Sequence, residues 1–244
     1  MVNQANPNIS VDCVVFGFDG HHIKVLLLQR SGRDQLDLDD DTLVLPGDLI
    51  LNNEGLEAAA QRVLQELTGL NNIYLEQVGA FGALDRLSKP LDQQWLRAVR
   101  LDPEARVITI GYYALINPDK YEIKPSSFAK YAEWYSLDEV DDLGFDHKEI
   151  LDKAVDKLRN KLFKEPIGFK LLPKYFSLHQ LYSLYTAIFG DVLDKRNFRR
   201  KMLKTGFIQE TDKLQQGVPH KPAKLYRFVR EDFDKINQDK FNFY

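Results

Sequence analysis

The sequence predicts an α+β chain in two parts: a strand-rich N-terminal body carrying two helices, then a smaller C-terminal winged helix-turn-helix. Three observations carry that prediction. The first is charge. The 244 residues have a net charge of only −3, yet residues 1–156 hold 14 Lys+Arg against 27 Asp+Glu and residues 157–244 hold 19 against 9. Halves of −13 and +10 imply two domains with different work, the basic one suited to a polyanion. The second is a series of β-rich runs separated by turn signals and interrupted by a helix of 3.6-residue period in the first half. The third is the order helix, short turn, basic helix, hairpin in the second.

Each element follows from local chemistry. Ile9–Phe18 and Ile23–Gln29 are β-rich runs joined by Asp19-Gly20, a hairpin signal. Arg33–Asp41 is a polar, acidic loop; Asp37, Asp39 and Asp41 imitate the start of a calcium loop, but Thr42 stands where the glycine must be and Asp48 where the closing Glu must be. Leu43–Gly47 is strand into turn. Leu56, Ala59, Ala60, Val63, Leu64 and Leu67 share one helical face, and Gly69 ends that helix. Strands are expected over Tyr74–Phe81 and Val107–Ile116, with a polar stretch over 84–106 between them. Trp134–Leu137 leads into a loop, and Asp146 caps a helix from His147 to about Leu162. Residues 163–173 read as a linker or short strand punctuated by Pro166, Gly168 and Pro173. Ser177 and Gln180 form a capping box before a helix that aligns Leu178, Leu181, Leu184, Tyr185 and Ile188 and ends at Gly190. Asp194 caps a second helix, Lys195–Lys204, closed by Gly206. Phe207–Thr211 and Lys224–Val229 then make the wing. The junction is expected near residues 162–168, giving domains 1–162 and 163–244.

Composition removes several classes. At 44% hydrophobic and 28% charged, the chain can bury a core and is neither disordered nor fibrous. One cysteine, Cys13, rules out a disulfide framework and a multi-cysteine zinc site, and its place in a strand marks it as buried. The polar start lacks the pattern of a signal peptide, and no apolar run approaches the roughly 18 residues of a membrane span. The expectation is a cytoplasmic protein with no membrane role and no cofactor.

Residues 46–70 read PGDLILNNEGLEAAAQRVLQELTGL and resemble the box of the Nudix hydrolase family, G-x5-E-x7-R-E-U-x-E-E-x-G-U with U apolar. Laid over it without a gap, Glu54, Arg62, Leu64, Glu66, Gly69 and Leu70 match, whereas Asp48 replaces the first Gly and Val63 and Leu67 replace two of the three helix carboxylates. Phe81-Gly82 with Asp85-Arg86, Asp102-Pro103 through Ile110, Trp134 and Phe145–Lys148 continue the likeness, and residues 87–101 depart from it as an insertion. The resemblance implies a Nudix-like α/β/α sandwich with a mixed sheet. Hard divalent cations need oxygen ligands, and a single remaining Glu66 cannot cage one that must also activate water. The expectation is therefore no enzyme and no metal, with Glu54, Arg62 and Glu66 kept as a salt-bridge cluster.

The basic helix points to the partner. At 100° per residue, Phe198, Met202 and Leu203 face inward, while Arg196, Asn197, Arg200 and Lys204 lie opposite. Arg bonds guanine at two points and Asn suits adenine. Lys195 and Arg199 flank this face, and Lys221 and Lys224 on the wing reach phosphates. These eight residues are the expected DNA contacts.

The whole pattern resembles the Nudix-related transcriptional regulators, most sharply at Pro166–Phe169 with Leu171–Pro173, at Leu193–Leu203 and at Lys221–Phe228. That resemblance implies a homodimer on a double-stranded palindromic operator, acting as a repressor released by a small effector. It allows two effector classes, a sugar such as a pentose or an ADP-ribose-like nucleotide. The lost carboxylates and the −13 background favour the neutral sugar, with Glu66, Asp85, Arg86 and Trp95 as its expected site. The alternatives are an ADP-ribose-responsive regulator of NAD metabolism, an active hydrolase with an appended nucleic-acid module, and an RNA-binding regulator, for which no aromatic stacking strand is present.

Overall fold

The computed structural model describes residues 4–30, 41–124, 129–162, 165, 167–190, 193–217, 219 and 221–229. The expected acidic loop, apart from Asp41, and the expected linker residue Pro166 lie outside the described residues. The chain divides into two compact units, one within Met1–Gly17 and Lys24–Ala154, the other within Phe18–Ile23 and Val155–Tyr244.

The first unit is built on a seven-stranded sheet of central order β3-β2-β1-β6-β5, in which β4 also pairs with β1 and β7 with β2. Here β1 is Ala5–Phe18, β2 Ile23–Arg30, β3 Leu43–Val44, β4 Gly47–Leu51, β5 Glu76–Phe81, β6 Ile108–Leu115 and β7 Ala129–Ser136. Strands β1 and β6 run parallel from Ile9↔Ile108 to Phe16↔Leu115, and β4, β5 and β7 pair antiparallel with their neighbours, so the sheet is mixed.

Both faces are covered, which explains why β1 and β2 read as unbroken apolar runs. Val11, Cys13 and Val15 of β1, Leu26 and Leu28 of β2 and Ile110, Tyr112 and Ala114 of β6 join the core beneath helix α1, Leu56–Thr68. That helix contributes Ala59, Ala60, Val63, Leu64 and Leu67 and ends at Gly69 with φ 76°, a left-handed turn that glycine adopts without strain. On the opposite face a Cβ on Gly111 would stand 3.1 Å from Ile150. Glycine there lets helix α3, His147–Leu162, lie close to the sheet. Burial pushes the Cys13 thiol pKa up, in keeping with a packing role.

Several elements depart from the sequence reading, among them strand β7, whose range held only an expected lead into a loop at Trp134. Strand β4 starts at Gly47, the end of the expected turn, and continues over residues for which no element was expected, pairing antiparallel with β1. Residues 90–99, inside the expected polar stretch, form helix α2, Pro90–Val99, with proline in its first turn. Its inward residues include Asp92 as well as Leu96, so the buried face lacks the apolar stripe that reveals a helix in sequence.

The second unit holds helices α4, Leu178–Phe189, and α5, Lys195–Thr205, and a three-stranded antiparallel sheet of order β8-β10-β9, where β8 is Phe176–Ser177, β9 Ile208–Leu214 and β10 Lys224–Phe228. The capping box is complete: Gln180 N–H donates to Ser177 Oγ and Ser177 N–H to Gln180 Oε1. Tyr182 hydroxyl donates to Leu193 carbonyl at 2.9 Å, and Asp194 Oδ1 accepts from Asn197 N–H at 2.6 Å. These two bonds fix Leu193 and Asp194 at the entry to α5. Phe198 packs edge-on against Tyr182 and Tyr185, and Met202 is fully buried beside it. The expected linker carries a 3-10 turn at Ile167–Leu171, whose Phe169 stacks on Phe228 at 4.5 Å.

Candidate functional site

Two surfaces carry chemistry, one in each unit. The first is a pocket of about 470 Å³ in the Nudix-like unit. Val44, Leu45, Leu49, Leu67, Val99 and Phe145 supply much of its apolar lining, and three arginines, Arg30, Arg86 and Arg100, share the lining with Asp12, Asp48 and Asp102.

Its floor is a buried polar network. Arg86 grips both oxygens of Asp146, Nε and Nη2 each at 2.8 Å, and stands 3.6 Å from Asp12. Thr109 hydroxyl donates to Asp12 Oδ2 at 2.6 Å. Leu45 N–H donates to His147 Nδ1 at 2.9 Å, which places the ring proton on Nε2, 3.3 Å from Asp12 Oδ1. A Cβ on Gly47 would overlap Asp12 Oδ1, so glycine is what lets β4 cross here. Burial drives the Asp12 carboxyl upward, but His147, Arg86 and Thr109 together outweigh it and hold the group at about 2. A carboxylate depressed in this way stabilises the fold fully above its ordinary value near 3.8, and that stability is lost as pH falls toward the folded value. Melting temperatures measured from pH 5 down to pH 2 should therefore fall more steeply for the natural chain than for Asp12→Asn, with the two curves converging at the acid end. Parallel curves would remove Asp12 from this role.

One wall of the pocket was not legible in the sequence. Arg30 of β2 and Asp92 of α2 are paired at 2.6 Å with both side chains 1% exposed. Asp92 Oδ2 also accepts from Phe145 N–H at 2.6 Å. The Arg30 guanidinium lies 5.5 Å from the Trp95 ring and 5.2 Å from Phe145, which meet edge to face. Of the four residues grouped from sequence as an effector site, Arg86 and Trp95 line this pocket. Asp85 is exposed outside it. Glu66 is 53% exposed and bonded to Arg62 at 2.9 Å, because position 66 falls on the outward face of α1 while Val63 and Leu67 turn to the core. Arg62 also grips Glu54 at 2.6 Å and donates to Leu49 carbonyl at 3.0 Å. The side chain of Asp146, expected as a helix cap, is engaged with Arg86.

The second surface is the outward face of α5. Lys195, Arg196, Arg199, Arg200 and Lys204 are exposed and Asn197 is half-buried. Arg200 Nη2 donates to Asn197 Oδ1 at 3.0 Å, which ties the two side chains together on this face. Leu203, expected to pack inward, is 45% exposed. Its place inside is taken by Thr205, whose hydroxyl bonds Met202 carbonyl at 2.7 Å, because α5 rotates Phe198 and Met202 to the centre of its contact. On the wing, Lys221 is exposed and Lys224 is paired with Glu210; a phosphate must compete with that carboxylate for Lys224. Among the described residues no helix is long and apolar enough to cross a membrane, and no group of three or more His, Cys, Asp or Glu side chains is disposed to hold a metal ion.

Comparison with known proteins places both units. The model of the NUDIX domain matches residues 6–154, and that of the NrtR DNA-binding winged helix domain matches residues 168–228. A protein of Acinetobacter baylyi described as an ADPR responsive transcriptional repressor, NtrR, is 33% identical over 94% of this chain and 85% of its own length. The crystal structure of Shewanella oneidensis NrtR is 25% identical, covers 96% of both chains and superposes with a TM-score of 0.68. The same protein crystallised with a 27mer DNA is 23% identical over 96% of both chains with a TM-score of 0.66.

Proposed function

Because the chain belongs to the NUDIX family and carries an NrtR-type DNA-binding winged helix, we propose that it is a transcriptional repressor whose operator binding is controlled by ADP-ribose. The observation that carries this reading is the Acinetobacter repressor, alike over 94% of the chain. The sugar effector favoured by the sequence loses ground to the nucleotide alternative. That preference rested on the lost box carboxylates and on the −13 of residues 1–156; the pocket lining itself balances three arginines against three aspartates. What a ligand meets is the local charge, since surface charges beyond about 8–10 Å are screened.

In this reading the Nudix-like unit senses and does not hydrolyse. Magnesium does not fit the residues of the box: Val63 and Leu67 offer no oxygen and are buried in the core, and Glu54 and Glu66 are both bonded to Arg62. Domains 1–162 and 163–244, a cytoplasmic location and a homodimer on a palindromic operator complete the proposal. The eight basic and amide residues of α5 and the wing are assigned to DNA, and the pocket around Arg86 and Trp95 to the effector.

Gel shifts with duplex DNA from upstream of its gene test the proposal. ADP-ribose should release the DNA and raise the melting temperature by mass action, while pentoses and hexoses do neither. Stabilisation by a pentose alone would restore the sugar reading. AMP and ribose 5-phosphate formed from ADP-ribose and water with Mg²⁺, and lost in Glu66→Gln, would make the chain an enzyme.

A further inference from the structure

The three pocket arginines are not equivalent. Arg86 is committed to Asp146 through two bonds, and Arg30 is held by Asp92 and set against two aromatic rings. Arg100 differs in that its side chain makes no ion pair and no hydrogen bond among the described residues, whereas Arg30 and Arg86 are each paired with a carboxylate. It is the residue that closes α2, its N–H bonded to Leu96 carbonyl at 2.8 Å. Its Nη1 is shut off from solvent and has no hydrogen-bond partner. A buried guanidinium N–H left without an acceptor is costly, and natural structures leave few such groups without a reason.

We infer that Arg100 is the anion anchor of this pocket: its guanidinium takes a phosphate oxygen of a nucleoside diphosphate ligand. The inference rests on the effector reading above and adds the residue that selects for charge. Position also argues for it. Arg100 stands where the negative end of the α2 dipole supports a cation, and Trp95, Val99 and Phe145 line the same cavity. An anion beside apolar and aromatic surface is what a phosphorylated nucleoside presents. Burial lowers the Arg100 pKa, Asp48 and Asp12 only partly oppose this, and Arg86 adds to it, so an incoming anion meets a cation short of compensation. A guanidinium with free donors also matches phosphate at two points in a way that a lysine cannot. Arg100 lies in the stretch that departs from the Nudix pattern, which is why the motif alone could not find it.

Calorimetric titration of the full chain with ADP-ribose and with ADP, at two salt concentrations, tests this. Arg100→Ala and Arg100→Gln should each weaken both ligands on the order of tenfold to a hundredfold, the range expected for a charged hydrogen bond. Arg100→Gln should also flatten the salt dependence seen in the natural chain. Melting temperature reports whether each variant is folded, and Arg100→Gln, which keeps much of the side-chain volume, carries the test should Arg100→Ala misfold. Natural affinity in the folded variants, or a loss with unchanged salt dependence, overturns the anchor and leaves the effector reading standing. A natural chain that ignores ADP-ribose but binds ADP in an Arg100-dependent way keeps the anchor and overturns ADP-ribose as effector. Binding of neither ligand overturns both.

Discussion

Removing Arg196 and Arg200 together should lower operator affinity on the order of a hundredfold or more while leaving the melting temperature unchanged. The magnitude follows from about 1–3 kcal/mol for each arginine that reads a base edge. Both side chains project from the exposed face of α5, and the fold beneath them depends on Phe198 and Met202. Arg200 is held to Asn197, so the loss should exceed the sum expected from two independent phosphate contacts: Asn197 loses the neighbour that orients its amide. Gel shifts over a range of salt decide between specific and non-specific roles. A steep salt dependence that persists with discrimination between operator and random DNA gone means that these two residues read sequence, because backbone contacts carry the salt term. Unchanged discrimination in the double variant would move recognition to another part of the second unit. Lys221→Ala is the contrasting case, a uniform weakening across sequences with a salt slope reduced by about one.

Asp92→Ala should be the most destabilising single change in the first unit, about 3–5 kcal/mol, or a fall of roughly 6–20 °C in melting temperature. Arg30 and Asp92 are each 1% exposed, so removing the carboxylate strands a guanidinium in the interior and leaves Phe145 N–H without its acceptor. The cost lies in the uncompensated charge more than in the lost attraction. Replacing the pair by Arg30→Met with Asp92→Leu should therefore recover most of the stability, falling short by about the 1 kcal/mol of the orphaned Phe145 N–H. A double variant as unstable as the single one would mean that packing at Asp92, and not the buried ion pair, holds α2 in place. The exposed Lys89–Asp142 pair, at 45% and 80% exposure, is the control: Asp142→Ala should cost less than about 1 kcal/mol.

Local rules explain which parts of the molecule could be read in advance. Helix α1 begins and ends where its apolar spacing and Gly69 place it. The capping box at Ser177, the cap at Asp194 and the left-handed glycines at 190 and 206 set α4 and α5 within a residue of expectation, since caps act within one turn. The charge split separated a strand-rich half from a basic one. Helix α2 escaped because its inward face carries Asp92, and an aspartate whose partner lies 62 positions away on β2 has no local signature.

The pocket shows where local reading ends. Sequence supplied the Nudix-like box, its missing carboxylates and the basic face of α5, because these are patterns of spacing on single elements. It grouped Glu66, Asp85, Arg86 and Trp95 by neighbourhood along the chain. Only the tertiary structure left Asp85 in solvent and brought Arg30, Arg86 and Arg100 to one cavity from β2, the loop before α2 and the end of α2. A charge summed over a domain is a property of sequence. The charge a ligand meets depends on which side chains are already paired and desolvated, and that is decided by packing between elements far apart in the chain.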